Sequence, residues 1–259
     1  MTRIIAITNQ KGGVGKTTTC VNLGATLSEM GYGVLVIDFD PQGNATSGSG
    51  VDKRHIQHDV RGLLLGEHSF RETCVMGTAA GYDLLPSDIQ LTEAEVALIS
   101  MPAAQSRLKT MLAEQAGSYD FVLIDCPPAL SMLTINGLVA ADGVIIPVQC
   151  EFYALEGIAA LIETIEQVRA SHNPSLQIDG VLRTMYDPRT SLTRQVSLQL
   201  EQFFDDKVFK TVIPRNVRLA EAPSHGLPVL RYDRLSKGAL SYLALASELR
   251  KRLKLKKAA

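Results

Sequence analysis

Two lysines five residues apart, Lys11 and Lys16, bracket a glycine-rich run, Lys11-Gly12-Gly13-Val14-Gly15-Lys16-Thr17-Thr18. Glycines let successive backbone N–H groups turn toward one point, and such a cradle suits the oxygens of a phosphate. The apolar run Ile4–Thr8 precedes the loop and a helical pattern follows it. That is the strand–loop–helix context a P-loop demands, with the helix N-terminus adding partial positive charge. The nucleotide would then lie against Gln10, Lys11, Gly12, Gly13, Val14, Gly15, Lys16, Thr17 and Thr18. Lys16 would reach the β- and γ-phosphates, the Thr17 hydroxyl would ligate Mg2+, and Thr18 could donate to the α-phosphate. One departure stands out. The usual pattern has glycine where this chain has Gln10, and it has no counterpart of Lys11. A cation at that place is badly sited for the γ-phosphate of its own loop. It could reach a nucleotide held by a neighbouring subunit, as an arginine finger does in trans; otherwise it is a solvated loop lysine.

Three carboxylates close two apolar runs. Val34–Ile37 ends in Asp38-Phe39-Asp40, and Phe121–Ile124 ends in Asp125-Cys126-Pro127-Pro128. Ligands of open α/β sheets bind beyond the carboxyl ends of the strands, so all three acids fall on the phosphate side. Alternation lets Asp38 and Asp40 point the same way. One could hold a water on Mg2+ while the other orients the attacking water. Asp125 has the Walker B position and would bind a magnesium water. Any one of them could be a strand-end turn residue; with the loop they make the constellation for phosphoryl transfer to water.

The elements that must position these groups can be read from periodicity. Ile4–Thr8, Val34–Ile37, Phe121–Ile124, Val144–Val148 and Ile178–Leu182 are short and β-branched, as buried parallel strands are. Thr17–Met30 and Leu155–Ala170 carry apolar residues at helical spacing, the first ending at Gly31, a C-cap residue. Alternating strands and amphipathic helices predict an α/β fold: three layers, a mostly parallel twisted sheet with helices on both faces. No linker or repeat divides 1–259, which reads as one domain. Gly43–Arg61, rich in Gly, Ser and Asp, is the least regular stretch and is expected to include a mobile loop beside the nucleotide.

The chain has 259 residues, 46% of them hydrophobic, enough for one large core. Without a run of eighteen apolar residues it offers no membrane span. Cys20, Cys74, Cys126 and Cys150 show neither a C-x-x-C pair nor metal-ligand spacing, so reduced cytoplasmic thiols are expected. Net charge is −1, but residues 1–180 hold 10 Lys+Arg against 20 Asp+Glu, while residues 181–259 hold 16 against 7. A basic third set against an acidic remainder fits a nucleic-acid or acidic-membrane contact as well as it fits a scattered solvated surface.

Longer stretches resemble the deviant-Walker-A ATPases, and within them the ParA/Soj partitioning family. These are Ile7–Thr18, Asp38–Thr46, Leu123–Pro128, Leu133–Leu138, Pro147–Gly157 and Thr211–Gly226, spread over nearly the whole chain. The resemblance implies a SIMIBI-like P-loop NTPase that binds ATP and Mg2+ and pairs into a homodimer in the ATP state, two nucleotides sandwiched between subunits. It implies that Lys11 is the signature lysine contacting the partner's ATP, that Lys11, Lys16 and Asp40 are catalytic with Asp40 positioning the hydrolytic water, and that Thr17, Asp38 and Asp125 hold the metal. Adenine would pack near Ile213–Asn216, with Pro214 giving apolar contact and Asn216 hydrogen bonds, and Met185 is a further candidate. Family members bind DNA without sequence preference once dimeric, which implies a nucleoid-associated cytoplasmic protein. Arg189 and Arg218 are then the candidate DNA contacts, and a ParB/Spo0J-type centromere-binding protein with a basic N-terminal peptide would stimulate hydrolysis.

The rival is a MinD-like membrane-associated ATPase that positions division machinery. Leu245, Leu249 and Leu253 fall on one face of a basic C-terminal segment that runs on to Ala259. Such a face could enter a lipid interface. It could equally dock the last helix on the core, and no aromatic residue lies beyond Tyr242 to anchor it in lipid.

Overall fold

The computed structural model describes residues 2–254 (for Ala116 the backbone alone). Six strands form one sheet: β1 (Arg3–Ile7), β2 (Val34–Asp38), β3 (Asp83–Leu85), β4 (Phe121–Asp125), β5 (Gly143–Gln149) and β6 (Gln177–Thr184). Their order is β3-β2-β4-β1-β5-β6, and every pairing is parallel. Burial on both faces explains why the strands read as continuous apolar runs. Side chains alternate: Ile5, Ile7, Val34, Val36, Phe121 and Leu123 enter one core cluster. Ala6, Leu35, Ile37, Val122 and Ile124 enter the other. Helices cover both faces, giving three layers.

The chain leaves β1 through the glycine loop into helix Lys16–Glu29, ten of whose fourteen residues are buried. It stops at Met30, and Gly31 follows in the left-handed region (φ 88). Helix Lys237–Arg252 packs along it. The expected helix Leu155–Ala170 is present as Ala154–Ser171.

Two differences from expectation have physical causes. β3 carries only Asp83-Leu84-Leu85, with no β-branched residue and too few positions to show alternation. And Gly43–Arg61 is more regular than its composition implies. It contains helix Asn44–Gly48 and a 3-10 turn Lys53–His55, and it enters helix Val60–Leu65 under an Asp59 cap. Long-range hydrogen bonds, which composition cannot reveal, order it: Ser87 N–H donates to Thr46 Oγ1 at 2.9 Å and the Ser87 hydroxyl to Asp40 O at 3.1 Å.

Candidate functional site

β1 lies between β4 and β5, where the connections diverge to opposite sides, so the loop after it opens on the crevice where open sheets bind ligands. Gly13 (φ 74) and Gly15 (φ 89) occupy the left-handed region that glycine tolerates. Gly15 begins helix Lys16–Glu29 without a side-chain cap, leaving first-turn N–H groups to face a ligand. The loop is braced from below. The Asn9 amide donates to Pro147 O (2.8 Å) and accepts from Lys11 N–H (2.9 Å), while the Thr184 hydroxyl donates to Val14 O (2.7 Å).

Lys16 is buried, and its ammonium donates to Lys11 O at 3.1 Å, which curls it over the loop. Burial lowers its pKa, and the nearby Asp125 and Asp40 charges oppose that shift. The Lys11 side chain goes elsewhere: its ammonium reaches Glu151 Oε2 at 2.6 Å, with both groups substantially exposed. The two lysines share one loop, yet only Lys16 reaches across it. Gln10 is half-buried, and Gly12 and Gly13 are exposed.

The acids differ in their commitments. Asp38 and Asp125 are paired in register at the ends of β2 and β4, and both are fully buried. Asp38 Oδ2 accepts from Thr46 N–H and the Thr46 hydroxyl at 2.7 Å each, and Oδ1 accepts from Asp40 N–H at 3.3 Å. Burial pushes the Asp38 pKa up to about 7 against these bonds, with the Asp40 charge adding to the rise. Asp40 Oδ1 accepts from Gln42 N–H at 2.9 Å. Through its bonds to Thr46, Asp38 pins the Asn44–Gly48 helix. Asp125 is the open one. Neither of its oxygens completes a hydrogen bond of good geometry, although the Thr17 hydroxyl is close enough to favour its charged form. Burial first, then Asp38, raises its pKa.

An orphaned buried carboxylate beside a threonine hydroxyl and a phosphate loop suits Mg2+. That ion usually takes one or two protein oxygens and fills its octahedron with water and phosphate. Among the described residues no group of three His, Cys, Asp or Glu could hold a metal ion. Thr17 and Asp125 fit it. Asp38 keeps lone pairs for a water despite its bonds to Thr46.

A cleft of about 290 Å3 runs from Gly15 and Thr18 past Thr184 and Met185 to Pro214 and Asn216, with Tyr242 also in its lining. Met185 sits at φ 48, a strained conformation for its type. Tyr186 N–H donates to Ile213 O (3.0 Å), which ties the two sides together. Asn216 Oδ1 caps the Val217–Glu221 helix through Leu219 N–H (3.3 Å), leaving its amide NH2 as the polar group for a ligand. The structure therefore brings the phosphate-loop and Ile213–Asn216 candidates into one continuous cleft.

Arg189 and Arg218 stand apart from it. Arg189 is 87% exposed and forks onto Asp187 (Nη2–Oδ2 2.7 Å, Nε–Oδ1 2.9 Å). Bonds from Arg189 hold the Asp187 pKa down at about 2. Arg218 pairs with Glu221 (2.7 Å) and Asp233 (3.3 Å). Leu245 and Leu249 are wholly buried and Leu253 packs partly against the same cluster, so this leucine face meets protein. Leu255–Ala259 of the basic tail lie outside the described residues. No described helix is long and apolar enough to cross a membrane.

Sequence reasoning missed Thr46, Thr184 and Glu151 as partners of the site. Nothing in their types marks them; Thr184 and Glu151 act through contacts between distant segments, and Thr46 through Asp38 in its own stretch. Glu151 lay inside a stretch already singled out, Pro147–Gly157, without a role.

Residues 2–178 match the model of an AAA domain family. The chain is 52% identical to the sporulation initiation inhibitor protein Soj of Bacillus subtilis, covering 96% of this chain and 98% of that one. It is 48% identical to the chromosome partitioning protein ParA of Caulobacter vibrioides, covering 95% and 93%. Among solved structures it resembles cobyrinic acid a,c-diamide synthase from Mycobacterium smegmatis with bound ADP and magnesium, at 39% identity and TM-score 0.87 over 98% of this chain and 96% of that one.

Proposed function

The chain belongs to the ParA/Soj family of partitioning ATPases and is an Mg2+-dependent ATPase; from that premise we propose an ATP-gated homodimer that grips DNA without sequence preference and releases it on hydrolysis. One observation carries the dimer: the Lys11 ammonium lies at the rim with Glu151 while Lys16 fills the cradle. The phosphate site of one subunit thus lacks a cation that a second subunit can supply in trans.

Within this reading residues 1–259 act as one domain. Lys16 and the loop N–H groups bind the triphosphate and neutralise charge that grows toward the transition state. The base lies in the cleft against Pro214, Met185 and Asn216. Mg2+, when bound, supplies charge neutralisation at the β- and γ-phosphate oxygens. Thr17 would hold it directly and Asp125 and Asp38 through water. Asp40, 8% exposed and near enough to Lys16 for its charge to act on that ammonium, orients the attacking water. Pairing brings two basic patches to one strand of DNA, so ATP raises DNA affinity through effective concentration. A ParB-type partner stimulates turnover, and the protein sits on the nucleoid in the cytoplasm. A MinD-like membrane role is less favoured, since Leu245 and Leu249 are spent on the core.

DNA binding measured with ATP, with ADP and without nucleotide, at two salt concentrations, tests the switch. Binding should need ATP, ignore sequence and weaken with salt. Equal binding in the three nucleotide states would remove the gate.

A further inference from the structure

The wall of the base cleft, Ile213–Asn216, lacks regular secondary structure before its short helix, so its position depends on what grips the segment ahead of it. β6 grips one side. Phe209 N–H donates to Val181 O (3.0 Å), Ile213 N–H donates to Arg183 O (2.9 Å), and the Arg183 guanidinium donates to Phe209 O (2.8 Å).

The other side is held by two residues of helix Lys237–Arg252. The Glu248 carboxylate accepts from Lys210 N–H (2.8 Å), Thr211 N–H (2.9 Å) and the Thr211 hydroxyl (2.8 Å). Arg252 donates to Asp206 O (2.9 Å) and Val208 O (2.7 Å), pairs with Glu248 at 2.8 Å, and lies over the Phe209 ring at 4.4 Å. Burial pushes the Glu248 pKa up, but the bonds from Thr211, Lys210 and Arg252 outweigh it and hold the carboxyl below its usual value. The same helix carries Tyr242, which lines the cleft and pairs through its hydroxyl with Thr19 Oγ1 of the phosphate-loop helix (3.2 Å). One helix is thereby fixed to the phosphate end of the cleft and, two residues short of Ile213, to its base end.

We propose that Glu248 is a positioning residue for base recognition: by holding Lys210 and Thr211 on the last helix it sets the distance between the phosphate loop and the Ile213–Asn216 wall. This rests on the reading that the base lies against that wall. A carboxylate is suited to the task because every group it meets is a donor: Lys210 N–H, Thr211 N–H, the Thr211 hydroxyl and the Arg252 guanidinium. Glutamine there would turn an amide NH2 toward one of the N–H groups and leave that group unpaired.

The test compares Glu248→Gln and the milder Thr211→Val with the parent, using the intact chain. ATP affinity, competition by inorganic tripolyphosphate, turnover at saturating ATP, and preference for ATP over inosine triphosphate are read for each. Glu248→Gln should weaken ATP about tenfold and narrow the base preference, with tripolyphosphate binding and saturated turnover within about twofold of the parent. Thr211→Val should shift the same two quantities in the same direction by less. General loosening of the fold would instead weaken tripolyphosphate in step with ATP, and that result overturns the proposal. Asn216→Ala separates the two layers of inference. If it alters base preference and Glu248→Gln does not, the clamp is wrong and the cleft stands. If neither variant alters it, the base does not lie on this wall, and both fall.

Discussion

Gly12 is exposed, and a Cβ added to it would meet no atom of its own chain within 4 Å. Its φ is outside the left-handed region too, so neither packing nor backbone strain within one subunit demands glycine there. Gly15 is different, with φ 89 and the Thr184 side chain 3.8 Å from a would-be Cβ. A side chain at Gly12 would then crowd only what comes to the loop, the phosphates of the nucleotide or the second loop of the proposed dimer. Gly12→Val should therefore leave the melting temperature of the nucleotide-free chain within a degree or so of the parent, while ATP-dependent dimers are lost in light scattering. A full yield of ATP dimers from this variant would mean that the loop does not face a partner. The same scale distinguishes the two lysines. Lys16 is buried under its loop, whereas Lys11 spends its charge on an exposed glutamate and keeps a short path outward.

At the scale of elements, the last helix decides between core and membrane for the C-terminal leucines. Leu249 is 0% exposed and belongs to the cluster that includes Leu23 and Leu27 of the phosphate-loop helix. Leu249→Ala should cost about 2–5 kcal/mol of unfolding free energy in urea titration, by lost burial and the cavity left behind. A lipid-facing leucine would cost almost nothing there and would instead reduce flotation with liposomes. The sequence could not settle this, because i, i+4 leucines look the same whether they meet protein or lipid. What it did show was set by local rules. The β1–loop–helix unit, β2, β4, β5 and β6 each carry enough β-branched or helical pattern to be read alone, and Asp38 and Asp125 follow from ending such runs. What escaped depends on contacts between distant segments. β3 has three residues and exists because β2 offers it an edge. Helix Asn44–Gly48 forms in a Gly- and Ser-rich stretch because Asp38 holds Thr46. The cleft joins Gly15 to Asn216 across about two hundred residues, and only the family resemblance pointed to Ile213–Asn216 beforehand.

Over the whole molecule, net charge −1 conceals a basic C-terminal third and an acidic remainder. A single subunit carrying that balance has little average attraction for a polyanion, so the proposed DNA binding would depend on where cations are free. Arg189 is not free: its fork onto Asp187 cancels much of its charge locally, at an exposed place where salt and solvent already weaken it. Binding DNA there means exchanging a carboxylate for a phosphate, and Asp187 competes for the same guanidinium. Opposite outcomes are thus expected from two neighbouring changes. Arg189→Glu should weaken ATP-dependent DNA binding about tenfold near 0.1 M salt and flatten the dependence of log K on log salt, since fewer counterions are released. Asp187→Asn should strengthen binding, because it frees the same arginine. Nucleotide affinity should hold steady in both, as neither side chain lines the cleft. Isotherms from fluorescence anisotropy on two unrelated duplexes would check both directions. If Arg189→Glu overlays the parent while Asp187→Asn does too, the DNA surface lies on another part of the basic third.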